Sequence, residues 1–184
     1  MENLAAAAIG ALLLAAVVAG PAAARTDASD WSDDRGAATA QRLIETCLKT
    51  SPAASEANLG CIDAAFQPCT LENGGTMSQH DLNACRGFSY RAWRERYDRM
   101  RIRFEGLLQT WTQPSADGWK RAMAARFGAQ EDAWRRWLVT DCEMWELGSV
   151  GGSIHSYAVA TCEERHIALR TITLAPFLEG LESR

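Results

Sequence analysis

Six cysteines, at positions 47, 61, 69, 85, 142 and 162, constrain this chain more than any other feature. No two of them stand as Cys-x-x-Cys. A zinc ribbon, a thioredoxin-like redox pair and a covalent haem attachment all need that spacing, so each lacks its signature. What the cysteines do instead depends on the compartment, because disulfides persist in oxidising spaces and not in the cytosol.

The amino-terminal residues bear on the compartment. Residues 4–19, LAAAAIGALLLAAVVA, form an uninterrupted apolar run, followed by Gly20-Pro21 and then Ala22-Ala23-Ala24. An apolar stretch ending in a small-residue site reads as a secretory signal peptide over residues 1–24, with a mature chain beginning at Arg25. Glu2 with no Lys or Arg departs from the usual basic start, so a misplaced initiation codon is one alternative. The other is an amino-terminal membrane anchor, for which the run is short. No cysteine lies near the cleavage site to carry a lipid. The expectation is a periplasmic or secreted protein with no stable membrane anchor after cleavage, whose six cysteines are paired.

Composition then narrows the partners. The 184 residues hold 19 Lys+Arg against 23 Asp+Glu, a formal charge of −4. Loss of residues 1–24 removes one acid and no base, leaving 19 against 22, or −3. Nucleic-acid binders are usually basic, so no nucleic-acid partner is expected. A chain this long suits one domain.

Residues 25–36, RTDASDWSDDRG, read as a flexible polar lead-in, and residues 37–184 as a helical domain. The segment 37–50 favours helix and stops before Ser51-Pro52, and a second short helix is expected over Ser55–Phe66. Residues 67–77, with Pro68, Asn73, Gly74 and Gly75, read as a loop. Ser78-Gln79-His80-Asp81 has the form of a capping box opening a long helix. Its apolar positions Trp93, Tyr97, Met100, Phe104, Leu107 and Trp111 recur in steps of four and three. Pro114, Asp117 and Gly118 break it. A second long helix is expected from about Trp119 to Leu147, with Phe127, Trp134, Leu138 and Trp145 near one face. After the turn Gly148–Ser153, a last helix runs from Tyr157 to about Leu174, before Pro176. No alternating run is long enough for a strand. The fold class is all-α: a small disulfide-stapled bundle of helical hairpins.

In a helical hairpin, residues i and j meet when their mean falls on the turn. Cys47 and Cys61 average to 54, near Ser51-Pro52, and Cys69 and Cys85 average to 77, at the end of the glycine-bearing loop. Cys142 and Cys162 average to 152, on Gly151-Gly152. Three sequential bridges would each close one turn, each contributing about 2–4 kcal/mol. One rival remains: Cys85 and Cys142 average to 113.5, on the Pro114 turn.

Catalytic chemistry leaves little trace. His80, His155 and His166 form no metal-binding pair and read as surface or cap residues. There is no Gly-x-Ser-x-Gly, phosphate loop or dinucleotide fingerprint. The adjacent carboxylates Glu163-Glu164 and Asp33-Asp34 read as solvated faces. The expectation is a non-catalytic protein with no cofactor and no metal. Seven arginines between 86 and 103 read as a polar face partly neutralised by Glu95, Asp98 and Glu105. The other reading is contact with an anionic envelope partner. The tryptophans, at helical spacing, read as core.

The order of these landmarks resembles the secreted bacterial lysozyme inhibitor LprI-like family over about residues 61–175. The residues that carry it are CIDAAFQPC at 61–69, DLNAC ending at Cys85, WRERY at 93–97 and AQEDAWRRWLVTDC at 129–142. Gly-Gly-Ser at 151–153, Cys162, Arg170 and Leu174 follow. Trp134 to Cys142 and Cys162 to Arg170 both keep the family's spacing of eight. The chain departs from the family at Leu138 and Val139, where an Arg-Asp pair is usual, and at Glu131, where Gln is. The resemblance implies non-catalytic binding of lysozyme or a related envelope component. The contact would fall on the turn Ser149, Val150, Gly151, Gly152 and Ser153, flanked by Glu143, Glu146, Glu163 and Glu164, with the Arg-rich helix face as the alternative surface; the other reading of Gly-Gly is a tight helix–helix connection and nothing more.

Overall fold

The computed structural model describes residues 31–32, 35–51, 58–72, 77–110, 117–148, 152 and 154–182. The described residues are all-α, as the sequence implies, and their helices are α1 (Gly36–Thr50), α2 (Phe66–Glu72), α3 (Gln79–Thr110), α4 (Asp117–Leu147) and α5 (His155–Glu182). The central element is α3, which packs most extensively against α5 and next against α1. By contrast, α4 lies mainly on α5 and touches α3 only lightly.

Helix α3 starts where the capping box predicts. The Asp81 backbone N–H donates to Ser78 Oγ at 3.2 Å, and the Ser78 N–H donates back to Asp81 Oδ2 at 3.0 Å. The Ser78 hydroxyl, donating to Asp81 Oδ2 at 2.7 Å, and then the Ser78 N–H hold the Asp81 carboxyl below its ordinary pKa. Along the expected stripe, Trp93, Tyr97, Met100 and Phe104 are buried. Leu108 completes the stripe, with Leu107 half-buried beside it; Trp111 lies outside the described residues. Burying a side chain the size of Trp93 contributes roughly 1.5–3 kcal/mol. Its indole N–H is satisfied by the Ile62 carbonyl at 3.1 Å.

Three bridges join consecutive cysteines: Cys47–Cys61, Cys69–Cys85 and Cys142–Cys162. Their Cα–Cα separations of 5.7, 5.7 and 5.6 Å are ordinary for disulfides. The rival Cys85–Cys142 pairing is therefore excluded. Three bridges mark an oxidising, extracytoplasmic environment. No helix among the described residues is long and apolar enough to cross a membrane.

Several elements differ from expectation. The short helix lies at Phe66–Glu72, all but its first residue inside the 67–77 stretch read as a loop; residues 60–65, expected as helix, form turns, and residues 55–57 of that expected helix lie outside the described residues. The Cys69–Cys85 bridge and the stacking of Phe66 under an α3 arginine fix it there, outweighing Pro68 in its first turn, where proline is tolerated. Trp31, in the expected lead-in, is buried against the Phe88 ring at 6.2 Å. A Cβ at Gly36 would sit 2.6 Å from that same ring, so only glycine lets α1 begin there. Helix α5 runs through Pro176 to Glu182 rather than stopping near Leu174. Leu178 is buried, Phe177 approaches Phe104 at 6.0 Å, and Arg103 donates to Glu182 at 2.7 Å. These contacts offset the helical hydrogen bond that proline removes.

Two charges expected on the surface are in the core. Arg86 donates to Glu164 Oε2 at 2.6 Å, to Asp63 Oδ1 at 3.1 Å and to the Tyr157 hydroxyl at 3.2 Å. Its guanidinium lies 3.6 Å over the Phe66 ring. Ser89 donates to the other Glu164 oxygen. Burial disfavours the Arg86 charge, but Glu164 and Tyr157 outweigh it and the pKa rises. Burial also pushes the Glu164 carboxyl upward, against Arg86 and Ser89, and there burial wins. Glu164 is fully enclosed, whereas Arg86 keeps a second, half-exposed partner in Asp63.

Candidate interaction site

The outer hairpin of α4 and α5 is built around the Cys142–Cys162 bridge. Counting along α4, Phe127, Glu131, Trp134, Leu138 and Cys142 recur every three or four residues and form the inward face. Phe127, Glu131, Leu138 and Cys142 are buried, and Trp134 is half-buried with its ring 5.3 Å from Tyr97 of α3. Glu131 accepts from Arg170 Nε at 3.0 Å, and the Arg170 guanidinium lies 5.7 Å from the Trp134 ring. This pair lashes the middle of α4 to α5.

Beyond it, α4 leaves several apolar side chains in solvent. Trp137 is 50% exposed, Met144 65% and Leu147 67%, with Val139 and Trp145 also exposed, and Ile154, just before α5, is 50% exposed. The expectation that the tryptophans belong to the core therefore holds for Trp134 of α4 but fails for Trp119, Trp137 and Trp145. Only α5 covers this helix closely, so one stripe suffices to bury and the rest stays outside. Trp137 is nevertheless held: its ring meets His166 edge-on at 4.5 Å, and His166 Nε2 lies 2.7 Å from Asp141 Oδ2. His166 is thus an interhelical partner rather than a surface residue.

Of the turn singled out by sequence, Gly152 is exposed, while Ser149, Val150, Gly151 and Ser153 lie outside the described residues. Among its flanking acids, Glu143 is exposed and Glu163 half-buried, but Glu164 belongs to the core. The side chain of Glu146 lies outside the described residues.

The arginine run is mostly engaged within the molecule. Arg86 is buried, Arg94 pairs with Asp98, Arg99 with Glu95, Arg101 with Glu105 and Arg103 with Glu182. Arg96 and Arg99 share Glu45 of α1 at 4.0 and 3.9 Å. Arg91 lies over the Phe88 ring at 5.1 Å.

The chemistry available at the hairpin is limited. Ligand atoms of Cys142, Cys162 and His166 lie within 4.8 Å of one another, but both sulfurs are committed to the bridge. A metal would need thiolates. The Asp141–His166 pair has the form of an oriented base, and the nearest sulfur, Cys162 Sγ at 4.0 Å from Asp141, is no nucleophile while bridged.

Sequence reasoning missed the buried charges, though a signal existed. Arg86 stands seven residues before Trp93, Glu164 lies in register with Ala168 and Thr171, and Glu131 with Phe127 and Trp134. A charge on an apolar stripe marks a buried ion pair.

No protein-family model, no curated protein and no solved structure matches this chain.

Proposed function

We propose that this is a non-catalytic binding protein of the periplasm or the extracellular space. It engages lysozyme or a related envelope protein through the tip of the α4–α5 hairpin. The observation that carries this reading is that Met144, Trp145, Leu147 and Ile154 are all exposed and all lie between the bridged Cys142 and Cys162. Several exposed apolar side chains on one covalently braced hairpin end favour partner binding over solvation. Bracing lowers the ordering cost on association. Exposed Glu143 beside the tip suits a cationic partner, and lysozymes are typically cationic. The alternative Arg-rich surface is less favoured, because most of its arginines, Arg96 apart, already have close acidic partners or lie against an aromatic ring.

The test is a lysis assay with purified, oxidised protein beginning at Arg25. Inhibition that falls at least tenfold in Met144→Ser/Leu147→Ser, with circular dichroism unchanged, supports the reading. Unchanged lysis at large molar excess removes lysozyme as the partner.

A further inference from the structure

Helices α1 and α5 pack on the same helix, α3, and leave a cleft of about 520 Å³ between them. That size is in the range of small-molecule sites. Its residues on α5 begin at Thr171, sixteen residues past His155 and so about 24 Å along the helix from the hairpin tip. Leu48, Ile172, Ala175 and Pro176 supply an apolar lining. Around it stand four charges: Arg96 from α3, Lys49 and Glu45 from α1, and Glu179 from α5. A smaller adjoining space of about 320 Å³ shares Arg96 and Glu179 and extends along Arg99 and Arg103.

Three of these charges, Arg96, Lys49 and Glu179, have little or no ion pairing within the described residues. The Arg96 side chain is only 33% exposed, yet among the described residues it reaches only Glu45, at 4.0 Å, a carboxylate it shares with Arg99. Burial holds its pKa below the ordinary value, with Arg99 adding to the effect against Glu45. Lys49 and Glu179 are exposed at the cleft rim and make no ion pair among the described residues. Arg96 and Glu179 line the same cleft without closing on one another. The buried Asn58 Oδ1 in the lining also lacks a hydrogen-bond partner. Pro176 has no N–H to give the Ile172 carbonyl, a further acceptor on this wall.

From the juxtaposition of a half-buried guanidinium, an unpaired carboxylate and an apolar lining in one cleft, we infer a binding site for a small zwitterion with an apolar body, a short apolar peptide. Arg96 takes the ligand's carboxylate, with Lys49 at the rim. Glu179 takes its ammonium group. The apolar lining takes its side chains. A simple anion would leave Glu179 unpaired, and a simple cation would leave Arg96 so.

Isothermal titration of the full oxidised protein with dileucine tests this against three blocked forms: N-acetyl-dileucine, dileucine amide and the doubly blocked peptide. Dileucine is expected to bind at least tenfold tighter than any blocked form. Arg96→Gln removes the preference over the amide, and Glu179→Gln removes the preference over the acetyl form. Equal binding of the blocked peptides to the unaltered protein overturns the proposal, as does no binding of dileucine. That comparison holds even if a variant does not fold.

Discussion

Helices α3 and α4 are nearly equal in length, 32 and 31 residues, and both carry an apolar stripe, yet they are used differently. Helix α3 is enclosed by α1, α2 and α5, and buries residues from Cys85 to Leu108, including the charge of Arg86. Helix α4 rests on α5, buries one stripe and leaves tryptophan, methionine and leucine in solvent. The difference teaches that apolar content does not decide which helix is core. The number of neighbours does, and a helix with one close neighbour keeps apolar surface for something else.

The largest expected effect breaks the enclosed side. Glu164→Ala leaves Arg86 buried with only half-exposed Asp63, and should cost about 3–5 kcal/mol in urea denaturation. Glu131→Ala, the matching change on α4, should cost less, about 1–3 kcal/mol, because Arg170 can turn toward water. Equal losses would mean that α4 is as firmly built in as α3.

Removing the Cys142–Cys162 bridge by paired alanines should cost about 2–4 kcal/mol. Hydrogen exchange should then quicken in α4 while α3 stays protected, since the other two bridges lie on the α3 side. Met144→Ser and Leu147→Ser should each change stability by no more than about 0.5 kcal/mol, as exposed positions do. A larger loss would show that the tip is core after all.

The smallest effect is in pH. Asp81 has a lowered folded pKa, so its stabilisation is present above the unfolded value and lost as pH falls through the folded one. Glu164, with a raised folded pKa, contributes in the opposite sense: fully below the unfolded value, and progressively less as pH rises through the folded one. Asp81→Asn should therefore flatten the acid side of a stability–pH curve, and Glu164→Gln the side just above it.

Much of this was legible in the sequence, and the reasons divide cleanly. The bridges followed from turn midpoints because each closes a local hairpin, and local geometry is written in spacing. The start of α3 followed from Ser78 and Asp81, whose side chains act within one turn. The helix at Phe66–Glu72, the passage of α5 through Pro176 and the burial of Trp31 did not follow. Each is settled by a distant partner: Arg86 and Cys85 for the first, Phe104 and Arg103 for the second, Phe88 for the third. At the candidate tip, the turn was visible as glycines, but the exposure of Met144 and Leu147 depends on which neighbours α4 lacks. Composition does not record that.

The pairing of the cysteines two by two along the chain also bears on how the molecule is made. A polypeptide exported amino-terminus first would present Cys47 and Cys61 to an oxidant before Cys69 arrives, and Cys69 and Cys85 well before Cys142. Joining the cysteines two by two in order of emergence would yield the native set with no reshuffling. Such a protein should mature without a disulfide isomerase, where one with crossed bridges would depend on it.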